Sequence, residues 1–236
     1  MVFLFALLFS VSPVVYPQVL PEWYIPLREA VYEQVLSADA ILPVYNNVSL
    51  RARTTLAVFE QNLILSRCEY MMGRAYLYED RKNEASSHFE SGMDYARKAL
   101  DIRETADAWV MLSENLSQNI ASRSVAYAMA NGLNVERYAK NALSINPRNA
   151  AALYLIAARW VYAPAPFNNL RRGIEMMTAI QTDGDMGKDD MFNVYSAIGY
   201  AYIQQRNNTQ ARVWLYRSLE IYPTNKYVQS LLANLR

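Results

Sequence analysis

The segment 192–223 constrains the fold more than any other part of the chain. It reads FNVYSAIGYAYIQQRNNTQARVWLYRSLEIYP, with apolar and small residues spaced as on one face of a helix on either side of a polar turn. These inward positions are Tyr195, Ile198, Gly199, Tyr202, Ala211 and Leu215. The pattern predicts two packed helices, the second of which ends at Pro223. Because one helical hairpin cannot bury its apolar faces alone, we expect further hairpins stacked against it.

Three stretches upstream repeat this pattern less regularly. Their apolar and small positions are Met72, Gly73, Tyr76, Ala85 and Phe89, then Trp109, Leu112, Leu116, Ala139 and Ala142, then Leu153, Ile156, Ala157, Trp160, Gly173 and Met177. Two helices are predicted before them, at 26–38 and 49–66, with a turn at 39–48 between them. A loop is predicted at 182–190. A terminal helix at 225–235 is expected to cover the exposed apolar end of the array.

The spacing of large, small and aromatic positions resembles the tetratricopeptide repeat (TPR), a helical hairpin of about 34 residues. The resemblance covers about residues 66–223. It implies an all-α, right-handed solenoid of about four irregular TPR-like hairpins, with N-terminal helices and a C-terminal capping helix. A single domain is therefore expected over 22–236.

Two interruptions of the pattern stand out. The end of the second unit, ALSINP, comes about ten residues late, which indicates an insertion at 119–134. In the third unit, Ala163–Pro166 replaces the usual polar turn, and its prolines prevent the helix from continuing. Insertions in such arrays often lie on the binding face. A longer helix pair with no special role explains the first interruption equally well.

Charge and motif content exclude several classes of function. Lys plus Arg number 23 and Asp plus Glu 22, so no basic excess favours nucleic acid. Cys68 and His88 are the only residues of their types, and no nucleophile motif accompanies them. The acidic loop residues are Asp183, Asp185, Asp189 and Asp190. Their spacing does not fit a calcium-binding loop. We therefore predict no enzymatic activity, no cofactor and no metal.

The amino-terminal residues 1–20 predict export. Residues 2–15 are an apolar run broken by Pro13, too short for the roughly 20 residues that span a bilayer but as long as the apolar part of a signal peptide. We expect a cleaved signal, a periplasmic location and no stable membrane span afterwards. The alternatives are an uncleaved anchor and a cytosolic tail.

The TPR resemblance also implies a binding groove, because the first helix of each hairpin lines the concave face. The groove residues so predicted are Arg67, Tyr70, Arg74, Tyr78, Glu114, Gln118, Tyr154, Tyr162, Asn193, Tyr200 and Gln204, with Asp107 beside them. Tyr and Arg are enriched in protein-binding hot spots. The alternative is that half of these side chains only pack between helices.

Two further resemblances suggest a role. Residues 131–166 are similar to the repeat domain of the regulator-of-microtubule-dynamics family, through ALSINP, RWVY and the following prolines. The overall plan resembles the TPR component associated with TRAP transporters in spirochaetes. That likeness implies a periplasmic homo-oligomer that pairs with a substrate-binding protein.

The chain lacks the lipoprotein cysteine of that TRAP-associated component near the end of the apolar run. The function predicted is an exported, non-enzymatic protein-interaction scaffold accessory to TRAP-type solute transport. The alternatives are a carrier of a small apolar ligand in a helical pocket, and a cytosolic or organelle-associated scaffold.

Overall fold

The structure, a computed structural model, describes residues 20–235, so the predicted signal segment lies outside the described residues except for Leu20. Within this range the chain forms eleven α-helices, one short 3-10 helix and no β-strand. The helices are α1 Ile25–Glu33, α2 Ala38–Thr55, α3 Val58–Tyr78, α4 Lys82–Ile102, α5 Ala106–Ser122, α6 Val125–Ile145, α7 Ala150–Tyr162, α8 Leu170–Asp183, α9 Lys188–Gln204, α10 Asn208–Ile221 and α11 Lys226–Ala233.

Four hairpins, α3/α4, α5/α6, α7/α8 and α9/α10, follow one another along the chain, with α11 after the last. The prediction of an all-α solenoid of about four hairpins is therefore confirmed. Small residues allow the close approach of paired helices. A Cβ at Gly73 would lie 2.4 Å from Cε1 of Phe89, and one at Gly199 would lie 2.6 Å from Cδ2 of Leu215.

Side-chain caps explain where most helices begin. A Ser, Thr or Asn side chain at the N-cap accepts a hydrogen bond from a backbone N–H in the first turn, which satisfies a donor that has no partner in the helix. The capping residues are Ser37, Thr105, Ser124, Asn149, Asn169, Asn207 and Asn225.

The predicted turn at 39–48 and the helix start at 49 are wrong. Ser37 caps a helix that runs through Pro43 to Thr55, and α1 ends before it, at Glu33, followed by the C-cap residue Gln34 with a left-handed φ of 55°. The 26–38 helix is thus shorter than predicted. The predicted helix 49–66 is divided between α2 and α3, because α2 ends at Thr55 and α3 begins at Val58. The loop predicted at 182–190 is also shorter, because the Asp190 carboxylate accepts the Gly187 N–H at 2.9 Å and starts α9 at Lys188.

The interruption at 119–134 is a longer helix pair. It comprises the end of α5, a short link and the first half of α6, and Ala139 and Ala142 are the buried residues of α6. The first half of α6 carries the exposed apolar side chains Val125, Met129 and Leu133, one helical turn apart. In the other irregular segment, α7 ends at Tyr162 and the Ala165–Pro166 bond is cis.

Helix α1 closes the array by joining its first and last hairpins. Tyr32 stacks on Tyr222 at 4.7 Å between ring centroids and meets the edge of Phe192 at 5.4 Å. Asn225 Nδ2 donates to the Tyr32 carbonyl at 2.6 Å, and Lys188 Nζ lies 2.5 Å from Glu29 Oε2. One apolar cluster consequently contains buried residues of both ends of the chain. Helix α1 therefore crosses the concave side of the solenoid.

No helix within residues 20–235 is both long enough and apolar enough to span a membrane.

We expect opposite effects from alanine at two helical glycines. Gly73→Ala places a methyl against the fully buried Phe89 and should lower the free energy of unfolding by about 1–3 kcal/mol. Gly132→Ala, with nothing within 4 Å of the new Cβ, should raise it by about 0.5–1 kcal/mol through helix propensity. Urea unfolding of both variants measures the two effects. Equal effects at both sites would contradict the packing seen between α3 and α4.

Candidate functional site

Two adjoining cavities lie on the concave side, where α1 faces the inner helices of the hairpins. The larger cavity has a volume of about 750 Å³ and is lined by residues of α1, α2, α3, α5, α7, α9 and α11. The smaller cavity has a volume of about 390 Å³ and lies beside Tyr24, Arg28 and the start of α9. Tyr70 and Asn193 line both cavities. The larger volume falls in the range of small-molecule sites.

Most of the predicted groove residues come together in these cavities. The larger cavity is lined by Tyr70, Arg74, Tyr78, Gln118, Tyr154, Tyr162 and Asn193, and the smaller by Arg67, Tyr70, Asp107, Glu114 and Asn193. Tyr200 lies outside the lining and packs against Tyr162 at 5.2 Å between ring centroids. Gln204 is exposed at the end of α9 and lines neither cavity.

Arg74 is surrounded by three tyrosines, and we call this group the Arg74 cage: Arg74, Tyr32, Tyr70 and Tyr78. Its Nη1 donates to the Tyr32 hydroxyl at 2.6 Å and to the Tyr70 hydroxyl at 3.4 Å, and its Nε donates to the Tyr78 hydroxyl at 3.0 Å. A further bond joins Nη2 to the Tyr78 hydroxyl. The guanidinium carbon lies 4.3 Å from the centroid of the Tyr32 ring. The cage thus links α1 to α3 and forms part of the cavity wall.

Within residues 20–235, no acidic side chain contacts the positive charge of Arg74. Arg74 is 7% exposed, and no carboxylate among residues 20–235 forms a salt bridge with it. Burial opposes this charge, but the tyrosine oxygens around it raise the pKa of the guanidinium further above its ordinary value. Burial also raises the pKa of Tyr32 and of Tyr70, so their hydroxyls stay protonated. The cage is therefore cationic at neutral pH.

The rest of the larger cavity has little negative charge. Glu79 is the one carboxylate among its described lining residues, and its Oε1 accepts the Ala38 N–H at 2.8 Å while Oε2 lies 3.8 Å from Arg81. Lys226 lies on the exposed rim. Near the mouth, Tyr162 and Tyr227 are 44% and 38% exposed.

The smaller cavity is richer in carboxylates. Asp107 lies 3.7 Å from Arg67, and Asp189 lies 3.4 Å from Arg28. Glu114 has no salt bridge within the described part of the chain, and burial raises its pKa to about 8. Burial also raises the pKa of Asp190 to about 6, against the opposing effect of its bond from Gly187. Among the described residues, the smaller cavity therefore contains carboxyl groups without a salt bridge, whereas the larger one contains an arginine without a salt bridge.

His88 and Cys68 are outside the lining of both cavities, whereas Asp185 belongs to the lining of the smaller one. His88 Nδ1 is 2.6 Å from Glu69 Oε2, and the His88 ring stacks on Tyr76. Cys68 is fully buried, which raises the pKa of its thiol to about 12. Asp185 pairs with Arg148 at 2.9 Å. Over residues 20–235 no group of three His, Cys, Asp or Glu side chains is arranged to hold a metal ion.

Sequence analysis missed the contribution of α1 and α11 to the site. Tyr32 completes the Arg74 cage, and Gln34, Lys226 and Tyr227 line the larger cavity. One signal was available: the helix predicted at 26–38 carries an apolar face, with Leu27 and Val31, that precedes the repeats and must be covered by something. The pattern does not reveal which surface covers it.

Comparison with known proteins identifies the fold. The structure matches TTC0263, a thermophilic TPR protein of Thermus thermophilus, with a TM-score of 0.54 and 16% sequence identity over 90% of this chain and 98% of that one. The chain has a TPR fold. YrrB, described as a TPR protein with an unusual peptide-binding site, aligns with a TM-score of 0.38 and 16% identity over 86% of this chain and 96% of its own.

No protein-family model matches the sequence, and no curated protein matches it. The resemblances to the TRAP-associated component and to the microtubule-regulator repeat domain stay predictions.

Proposed function

We propose that this TPR-fold protein is a non-enzymatic interaction scaffold that binds a segment of a partner protein on its concave face. One observation carries the proposal: all the predicted groove residues except Tyr200 and Gln204 line two adjoining concave cavities. The lining is rich in tyrosine and contains Arg67 and Arg74, the residue types enriched in hot spots of protein interfaces.

The accessible part of this surface is the rim of the larger cavity, because α1 covers the middle of the groove. Tyr162 at the end of α7 and Tyr227 in α11 face this rim and are both partly exposed. A partly exposed tyrosine offers a flat apolar ring and a polar hydroxyl at low cost in conformational entropy. We expect the partner to contact these two rings.

The double variant Tyr162→Ala/Tyr227→Ala should weaken capture of the native partner at least about tenfold, since truncation of a hot-spot residue costs about 2 kcal/mol or more and about 1.4 kcal/mol corresponds to tenfold. Both side chains are partly exposed, and the variant leaves the Arg74 cage intact, so folding should be unchanged by circular dichroism. Affinity purification from the native extract with quantitative mass spectrometry measures the effect.

Tyr216→Ala is the matched control, because Tyr216 is 56% exposed on α10 and lines neither cavity. Equal loss of the partner in both variants would contradict binding at the concave face, and so would full retention of the partner by the double variant.

We further propose export to the periplasm and an accessory role in TRAP-type solute transport, as a homo-oligomer paired with a substrate-binding protein. The apolar run 2–15 supports export, and the overall plan of helical hairpins supports the accessory role. N-terminal sequencing of the native protein tests the first, since a mature chain that starts at Met1 would refute cleavage. Co-purification with a substrate-binding protein tests the second.

A second candidate function is that of a small-ligand carrier. It is favoured by the larger cavity, because α1 and α11 partly enclose a volume suited to a small molecule. Native mass spectrometry of gently purified protein should then show a bound small molecule. A mass equal to that of the bare chain under these conditions would count against the carrier.

A further inference from the structure

We propose that the larger cavity binds a small organic carboxylate with an apolar body, and that the carboxylate lies against the Arg74 cage. This inference rests on the carrier function proposed above and names the chemical class of the ligand. It follows from three properties of the cavity: a surplus of hydrogen-bond donors, an uncompensated positive charge and apolar walls.

The cage has more donors than acceptors. A guanidinium carries several N–H donors and no acceptor, and here it donates to three phenolic oxygens. Each of those oxygens, once it has accepted from Arg74, still has its own O–H proton to donate. Tyr32 also accepts from Asn193 Nδ2, at 3.2 Å. The hydroxyl protons of the cage therefore need an acceptor from elsewhere.

A second donor in the cavity wall is also unsatisfied. Gln34 is 8% exposed and lines the larger cavity, and its Oε1 accepts the Tyr227 N–H at 3.0 Å. Its Nε2 is buried and has no hydrogen-bond partner within residues 20–235. A buried donor without a partner is unfavourable, because it loses its bonds to water and gains none. A ligand that accepts hydrogen bonds would relieve this shortage of acceptors.

The charge balance selects an anion. Arg74 is buried in the cavity wall without a salt bridge, and Lys226 adds a second positive charge at the rim. Glu79 is already bound by the Ala38 N–H and lies near Arg81, so it does not neutralise them. Glu114 and Asp190, which form no salt bridge with any described residue, line the smaller cavity instead. A carboxylate accepts hydrogen bonds from the tyrosine hydroxyls and balances the positive charge of the guanidinium.

The remaining wall accommodates an apolar body. Val31, Ile41, Ala75, Leu77, Ala121 and Phe192 all line the larger cavity. Burial of apolar surface against these side chains supplies the affinity, while the Arg74 cage fixes the orientation of the headgroup.

The test compares matched probes by calorimetry on the full chain. Decanoate and 4-phenylbutanoate are the carboxylates, 1-decanol and 4-phenylbutanol their neutral analogues, and decylamine the cation. We expect the carboxylates to bind about tenfold or more tighter than the alcohols, and decylamine to bind more weakly than decanol.

Three variants locate the headgroup. Arg74→Gln should weaken the binding of decanoate about 10- to 100-fold and leave the affinity for decanol within about threefold of wild type. Arg74→Lys should recover part of the loss, because it keeps the charge but not the planar fork. Tyr78→Phe changes only a hydroxyl on a side chain that is 38% exposed, so it keeps the test valid if Arg74→Gln does not fold. Tyr78→Phe should weaken the binding of decanoate and leave the binding of decanol unchanged.

The outcomes separate the two proposals. Tight binding of the alcohols and carboxylates alike, with no effect of Tyr78→Phe, would overturn the carboxylate site while the carrier function stands. Binding of none of the probes would overturn the carrier and with it this inference. Tighter binding of decylamine than of decanoate would overturn the proposal that the cavity selects an anion.

Discussion

Replacing Tyr32 with alanine is expected to lower the free energy of unfolding by about 3–5 kcal/mol, the range for removing a large buried aromatic side chain. Tyr32 is 1% exposed and lies between the two ends of the solenoid. Its ring stacks on Tyr222 and meets Phe192, and its hydroxyl accepts from Arg74 and Asn193. Tyr32 therefore contacts residues of both the first hairpin and the last one.

The loss of stability in Tyr32→Ala should be concentrated where α1 contacts the last hairpin and α11. Hydrogen exchange should increase in α10 and α11, because Tyr32 packs on Tyr222 and its carbonyl binds Asn225. Tyr32→Phe keeps the packing and removes one of the acceptors of Arg74 and the acceptor of Asn193 Nδ2, so it should cost about 1–3 kcal/mol. Tyr216→Ala, on the exposed face of α10, should stay within about 0.5 kcal/mol of wild type.

Urea unfolding followed by circular dichroism measures all three variants. A Tyr32→Ala protein as stable as Tyr216→Ala would refute the closure of the solenoid by α1. Increased exchange in α5 and α6 instead of α10 and α11 would place the role of Tyr32 elsewhere.

The sequence predicted the hairpins well because their contacts are local. Gly199 and Leu215 lie on consecutive helices, and the spacing of small and large residues records their packing directly. The start of the helix at 38–55 was missed: Pro43 is unfavourable inside a helix, but the Ser37 cap and the following apolar face outweigh its cost.

The closure by α1 could not be predicted, because its contacts join residues far apart in the chain. Asn193 and Tyr32 are separated by 161 positions, and Asn225 and Tyr32 by 193. An amphipathic pattern reports that a face is buried, but it carries no information about which distant surface covers it.

The candidate site, like the fold, was predictable only where it depends on contacts that are local in sequence. Repeat register predicted a common face for Tyr70, Arg74 and Tyr78, since they lie one turn apart on α3. Their combination into a cationic cage depends on Tyr32, which only the tertiary structure brings there. The same holds for Glu114, which lies near Arg67 in the folded cavity without forming a salt bridge to any residue of 20–235.

Glu114 is expected to make the protein less stable as the pH rises. In the folded protein burial raises the pKa of its carboxyl from 4.5 to about 8; Arg67 and Arg74 partly oppose this, while Asp190 and Asp189 raise it further. Between these values the folded state keeps a proton that the unfolded state has released. Raising the pH through this window therefore favours unfolding, and the stability present below about pH 4.5 is lost by about pH 8.

The size of the effect follows from linkage. One unit of pKa shift corresponds to about 1.4 kcal/mol, so the full shift sets an upper limit of roughly 5 kcal/mol. Because Glu114 lines a cavity that reaches solvent, screening should reduce this to about 2 kcal/mol. Asp190, with its pKa raised to about 6, should add a smaller loss at lower pH.

Glu114→Gln isolates the contribution of this carboxyl. The variant should match wild type near pH 4.5 and exceed its free energy of unfolding by about 2 kcal/mol at about pH 9, because the amide cannot ionise. Glu104→Gln is the matched control: Glu104 is exposed at the start of α5, where its carboxylate accepts from Trp109 Nε1. A difference between wild type and Glu114→Gln that stays constant across this pH range would show that Glu114 titrates as an ordinary carboxyl, and the smaller cavity would then be more hydrated than its geometry indicates.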